Sequence, residues 1–347
     1  MMKRYSRNGA LGLLGRRRVM RLLAGVAVFG FERRNGVVAD DSVPKSNDMP
    51  DEQDKQESTP QPGLPTLGGM QFWGDLKFFR GYRIQRNVLT GHYRLLDVNN
   101  RRYASGTLEQ CDEVLEKLRI TQGLTSDTGH AVIYLHGIAR SSKSLQPIIK
   151  AMPKEGYVHV PFEYPSTQVP LEQAATYLKS VMDSLTNVTK ISFVVHSMGG
   201  IVVRRHLKDH RDPRLHRMVM MGTPNGGAEL ADMLKRNLLF KAIYGPAGQE
   251  LISDPLGPIK SLPTPDFEFG IVAGGKGDDK GFNRLLPGDD DGTVTVASAR
   301  LPGAADYVRI PKIHAFLMSD ATVIQGVQHF LEHGRFFPDK APEPIAG

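Results

Sequence analysis

Apolar and polar positions change rhythm along the chain. Residues 78–103 alternate apolar and polar side chains around turns at Thr90-Gly91 and Asn99-Asn100, which predicts two or three antiparallel strands. Leu108, Cys111, Val114, Leu115 and Leu118 then recur at helical spacing over 108–120. From Gly129 onward the runs 131–135 and 218–221 are apolar throughout and 191–195 is apolar except at Ser192, with a further strand at 157–162. Helical patterns at 145–152, 171–185 and 201–207 separate them. Strands apolar on both faces and alternating with helices predict a parallel sheet covered on both sides. The expected fold class is therefore α/β: a mostly parallel sheet with helices on both faces, preceded by a small β-plus-helix module. Ligands in such sheets bind at the carboxyl ends of the strands.

Charge changes this picture little. The chain of 347 residues has a formal net charge of +7, but residues 1–39 hold nine Lys/Arg against Glu32 alone, so the remainder sums to −1. A nucleic-acid binder would carry its basic patch on the folded domain, and no nucleic-acid partner is expected. The leader itself is informative. Arg16-Arg17-Arg18 precede a short apolar run over 22–31, followed by Val37-Val38-Ala39 at a small-residue cleavage position. That run is shorter than the roughly 20 residues a membrane span needs. Residues 1–39 thus read as a signal segment for export; the alternatives are an organellar transit peptide, because 1–31 hold no acid, or an unprocessed cytoplasmic start. Residues 40–70 are rich in Pro, Ser, Gln and acids and are expected to form a disordered linker. The module occupies 71–128, the main domain 129–338 and a flexible tail 339–347. Cys111 is the only cysteine, so no intrachain disulfide can form, and it is expected to be a small buried apolar group.

The candidate chemistry falls at the strand ends. In Val194-Val195-His196-Ser197-Met198-Gly199-Gly200 a buried strand ends at Ser197 and a helix begins at once. The plain reading of Ser197 is a helix N-cap; the chemical reading is a hydroxyl on a sharp turn, clear of the sheet. His136-Gly137-Ile138 closes the first buried strand, 61 residues earlier. A serine hydroxyl needs a base, and that base an orienting acid. The acids lie in Gly288-Asp289-Asp290-Asp291-Gly292-Thr293-Val294, after an expected strand over 267–272. Adjacent acids without a bidentate Glu fit a calcium loop poorly, and a solvated acidic turn is the plain reading. His314 follows Asp291 by 23 residues, after an expected strand near 308–310 and before a final helix. His329-Phe330-Leu331-Glu332-His333 matches an H-x-x-E-H zinc pattern, but a third ligand could come only from Asp339 or Glu343. Val323, Val327, Phe330 and Leu331 instead form an ordinary helical stripe.

Five segments in order resemble the α/β-hydrolase superfamily: Leu135-His136-Gly137, His196-Ser197-Met198-Gly199-Gly200, Gly222-Thr223-Pro224-Asn225-Gly226-Gly227, Asp291-Gly292-Thr293-Val294 and His314-Ala315-Phe316. Within it they are similar to bacterial-type triacylglycerol lipases and esterases, and to the hydrolase domain of GPI inositol-deacylase-like lipases. Two positions depart: Val195 stands where the elbow has its first glycine, and Asn225 where a histidine is often found. The resemblance implies an α/β-hydrolase fold and a serine hydrolase acting on lipid-like carboxylic esters through an acyl-enzyme. Ser197 would be the nucleophile, His314 the base and Asp291 the acid, with Asp290 the runner-up. The backbone N–H groups of Ile138 and Met198 would form the oxyanion hole, with His136, Gly137, His196 and Gly199 as supporting motif positions. No metal or organic cofactor is implied. Peripheral contact with a lipid surface is the further partner expected. The same triad would also serve a thioesterase, amidase or acyltransferase, and an inactive binding protein of this fold is the reading of another class. The stretch 228–262, apolar at Leu230, Met233, Leu234, Leu238, Leu239, Phe240 and Ile243, is expected to form a short helical cap over the site.

Overall fold

The computed structural model describes residues 69–347 apart from 235–237 and 254–256. The expected leader and nearly all of the expected linker lie outside the described residues. So do the side chains of Leu234, Leu238, Leu239, Phe240 and Ile243 from the expected cap.

The N-terminal module is an antiparallel meander of four strands, β1 (Trp73–Phe79), β2 (Tyr82–Asn87), β3 (Tyr93–Leu96) and β4 (Arg102–Gly106). This exceeds the two or three strands expected, because β1 carries Asp75 and Lys77 and is bulged between them, which breaks the alternation. Helix α1 (Leu108–Thr121) follows, opened by a capping box in which Thr107 and Gln110 exchange side-chain and backbone bonds. Its apolar stripe covers one face of the meander around Ile84, Leu95 and Cys111. Cys111 is fully buried, and burial pushes its thiol up to about 11.

The main domain alternates strands and helices. In chain order these are β5 (Gly129–Leu135), α2 (Gln146–Ala151), β6 (Tyr157–Phe162), α3 (Leu171–Ser184), β7 (Val188–His196), α4 (Met198–Asp209) and β8 (Leu215–Met221). Short helices α5 (Glu229–Leu234) and α6 (Leu238–Glu250) follow, then β9 (Glu268–Gly274), α7 (Val296–Ala299), β10 (Asp306–Ile310) and α8 (Ala321–His333). All six strands pair in parallel, in the order β10-β9-β8-β7-β5-β6. Both faces are covered, as the apolar runs predict. Val132, Tyr134, Val194, Val219 and Val272 pack with α2 and α8 residues such as Ile148, Val327 and Phe330. The alternate positions Ile133, Phe193, Val195 and Ile271 are equally buried on the other side. Val323, Val327, Phe330 and Leu331 of α8 are thus core residues.

The sheet fixes where chemistry can occur. After β6 the chain crosses back past β5, so β5 and β7 are neighbours whose connections leave in opposite directions. The crevice at such a switch point opens at the carboxyl ends of the two strands. His136-Gly137 continues from β5 and Ser197 from β7, placing the two motifs side by side there.

Candidate active site

Ser197 sits between the last residue of β7 and the first of α4 with φ 54° and ψ −126°. A side chain other than glycine at positive φ is costly and persists only where the surroundings impose it. Here they do. Ser197 N–H donates to the Met221 carbonyl at 2.9 Å, and Gly200 N–H to the Ser197 carbonyl at 3.1 Å. Helix α4 also presses against the end of β5: a Cβ on Gly199 would lie 2.6 Å from the Leu135 carbonyl oxygen. Val195 forms no obstacle to this turn, since its side chain is fully buried in the sheet core.

Asp291 and His314 are brought together by the loops after β9 and β10. His314 Nδ1 donates to Asp291 Oδ2 at 2.7 Å, and His314 N–H donates to the Asp291 carbonyl at 2.8 Å. Asp291 is almost wholly buried and also accepts the N–H groups of Thr293 at 2.9 Å and Val294 at 2.7 Å. Held by these backbone donors, the carboxylate fixes the ring it faces. Asp290, its neighbour, points the other way, accepting the N–H groups of Gly292 at 2.6 Å and Asn283 at 3.0 Å. Burial pushes its carboxyl upward. Asp290 therefore shapes the loop and makes no contact with His314 among the described residues.

The serine and the Asp291–His314 pair meet across Met221 and Gly222. A Cβ on Gly222 would lie 2.9 Å from His314 Nδ1, so only glycine lets the ring settle against this turn. His196, next to Ser197, packs its ring 4.6 Å from that of His314 and donates Nε2–H to the His314 carbonyl at 3.1 Å. Burial, the His314 ring and Arg140 hold the His196 imidazole well below the usual histidine range, so it stays neutral. Ser197 Oγ makes no hydrogen bond to His314 or any other group among the described residues.

On the other side of Ser197 lies the β5 loop. A Cβ on Gly137 would stand 3.0 Å from Ser197 Cβ. The neighbouring Ala139 has φ 55° and donates its N–H to Ser166 Oγ at 3.0 Å. Among the described residues neither Ile138 N–H nor Met198 N–H donates to a protein acceptor. Tyr164 stacks on His136 at 4.4 Å and donates its hydroxyl to the His136 carbonyl at 2.6 Å, which holds the loop from beneath. The segment around α6 reaches this loop as well. Gly248 approaches the Ile138 side chain, and Glu250 accepts the Leu171 N–H at 2.7 Å.

Glu163 was not a candidate from the sequence. It follows β6 directly, is buried, and accepts both the N–H and the hydroxyl of Ser142, at 3.1 and 2.6 Å. Its Oε2 lies 3.4 Å from His136 Nε2. Burial would raise the Glu163 carboxyl, but His136, Ser142 and Arg83 outweigh it and hold the group below the usual range. An acid at the end of a strand was the available signal. Its partners, from the loop after β5 and from the N-terminal meander, are distant in sequence. Asn225 is likewise structural: it donates to the Ala299 carbonyl at 2.9 Å, and its Oδ1 accepts from buried Arg204 at 3.3 Å.

No protein-family model and no curated protein matches the chain. Several solved structures are similar to it. The lipase BlEst2 of Bacillus licheniformis in its mature form is 20% identical with a TM-score of 0.42, over 61% of this chain and 94% of that one. The lin2722 gene product of Listeria innocua is 18% identical with a TM-score of 0.43, over 63% and 98%. A thermophilic esterase of Thermogutta terrifontis, with malate bound, is 15% identical with a TM-score of 0.41, over 60% and 91%.

Proposed function

We propose that the protein is a serine hydrolase of carboxylic, lipid-like esters that works through an acyl-enzyme on Ser197. The observation that carries this reading is the strained Ser197 elbow beside a buried carboxylate bonded to a histidine, at the switch point of a parallel sheet. Ser197 Oγ attacks the ester carbonyl carbon while His314 Nε2 takes its proton. Asp291 holds the ring so that Nε2 faces the serine, and stabilises the imidazolium that forms. The serine–histidine bond tightens when substrate displaces water, as is common where the unliganded geometry is loose. Ile138 and Met198 N–H groups serve the tetrahedral oxyanion, and each such donor contributes about 3 kcal/mol of transition-state stabilisation. His314 then protonates the leaving alcohol, and water repeats the cycle on the acyl-enzyme.

The lipid-like preference rests on the surroundings. Ile313 and Phe316 flank His314 and are 36% and 42% exposed. Apolar groups kept at the surface around a nucleophile favour an apolar acyl chain.

A p-nitrophenyl ester series from acetate to palmitate tests the proposal. Turnover is expected in the wild type, with kcat/KM rising beyond the two-carbon acyl group, and is expected to disappear in Ser197→Ala. Undiminished hydrolysis in that variant would overturn the assignment.

A further inference from the structure

The N-terminal meander has two unlike faces. One is apolar and rests on α1. The other, turned toward the main domain, buries Asp75, Arg83 and Gln85. Burying charges between two layers is costly unless each is matched, and a packing face alone would be built of apolar residues. This face also borders a cavity of about 850 Å³, whose far wall includes Ser142, Ile149, Pro161 and Glu163. That volume lies in the range of small-molecule sites.

The charges that line the cavity are matched except for Arg94 and, at its exposed rim, Lys143. Arg83 stands 3.8 Å from Asp75 and also donates to Asn100. Glu163 is engaged by Ser142 and His136. Arg94 has no carboxylate partner among the described residues. Its Nε donates to Gln85 at 2.9 Å and its guanidinium lies 3.8 Å over the Trp73 ring, but its terminal nitrogens make no hydrogen bond among the described residues. Burial and the neighbouring Arg83 lower its pKa to about 10, which leaves it a cation at neutral pH. Trp73 Nε1 is a second donor buried in this wall without a partner. Beside these donors the wall is apolar at Phe78, Leu96, Ile149 and Pro161.

We propose that this cavity is a second ligand site, separate from Ser197, that takes an amphiphilic monocarboxylate. The carboxylate head pairs with the Arg94 fork and the apolar tail runs along Leu96, Ile149 and Pro161. Arg94 is the less exposed of the two unmatched cations, and a guanidinium binds a carboxylate through two parallel bonds, with Lys143 at the rim adding to the attraction. The ligand is of the chemical class that ester hydrolysis releases, so its meaning as a product signal rests on the proposed function; its binding does not. Glu163 lines this cavity and lies 3.4 Å from His136, which precedes Gly137 beside Ser197, so the two sites are neighbours.

Trp73 is the only tryptophan in the chain, so its emission reports this cavity alone. The full-length protein is titrated with sodium decanoate. A saturable emission change is expected in the wild type and in Ser197→Ala at the same midpoint. Arg94→Gln is expected to weaken it at least tenfold, and Lys143→Glu, at the exposed rim, severalfold. Circular dichroism checks the fold of Arg94→Gln; if it is unfolded, the rim variant decides alone. Decanol and inorganic phosphate are expected neither to reproduce the change nor to displace decanoate. The proposal is overturned by no saturable change in the wild type, by unchanged affinity in the folded Arg94 variant or in the rim variant, or by an equal response to decanol. Displacement by phosphate or a midpoint moved in Ser197→Ala would also overturn it, the latter by placing the ligand in the active site. Loss of esterase activity in Ser197→Ala, by contrast, bears only on the proposed function.

Discussion

At the scale of single residues the site turns on which of two adjacent acids faces the histidine. The sequence offers Asp290 and Asp291 with the same chemistry, and only resemblance to a motif ranks them. What separates them is the curl of the loop, which sends Asp291 inward to His314 and turns Asp290 onto the Asn283 and Gly292 N–H groups. Asp291→Asn is expected to lower turnover of a p-nitrophenyl ester by about four orders of magnitude, as loss of the orienting charge does in serine triads. Asp290→Asn is expected to stay within about threefold in turnover and to lose about 1 kcal/mol of stability, the ordinary weight of a weakened hydrogen bond. Steady-state kinetics and denaturant titration on both variants check this, and the opposite pattern would reassign the acid. Glu163 was invisible at this scale, because an acid after a strand reads as a solvated turn until its buried partners are known.

At the scale of elements, the parallel sheet was the most legible part of the chain. Strands covered on both faces are apolar at nearly every position; 131–135 and 218–221 carry that pattern without interruption, and 191–195 departs from it only at Ser192. The meander was less legible. Its first strand buries Asp75 on the face toward the main domain, and a polar residue in a buried position disguises a strand. The elbow was legible from its glycines more than from its serine. Gly199→Ala tests that reading, because its methyl would meet the Leu135 carbonyl oxygen at 2.6 Å. Backbone is on both sides of this contact, so α4 has to shift. A cost of about 1–3 kcal/mol is expected, with esterase activity lowered at least tenfold as Ser197 moves with the helix. A thermal melt unchanged by the substitution, with full activity, would mean that helix and strand are not held at this distance.

At the scale of the whole molecule, the meander and the main domain are joined through charge. Asp75 N–H donates to the Glu163 carbonyl at 2.9 Å, and Asp75 Oδ2 accepts the Glu163 N–H at 2.7 Å. Burial raises the Asp75 carboxyl to about 6, against the partial relief that Arg83 gives. A carboxyl raised on folding binds its proton more tightly in the native state, so stability falls as pH rises from about 4 to about 7. Asp75→Asn does not titrate. Its stability relative to the wild type is therefore expected to improve by about 2 kcal/mol between pH 4.5 and 7.5, most of what a shift of about two units carries at 1.36 kcal/mol each. Urea unfolding of both proteins at pH 4.5 and 7.5 measures this, and a difference independent of pH would contradict it.

The most direct test of the central claim is covalent. A fluorophosphonate reacts with a serine only where a base and an oxyanion site activate it. Incubated with the folded protein, it is expected to add one label per chain, and peptide mapping is expected to place that label on Ser197. Labelling is expected to vanish in His314→Ala and after unfolding in urea. A folded wild type that stays unlabelled, or a label mapped to another residue, would contradict Ser197 as the nucleophile.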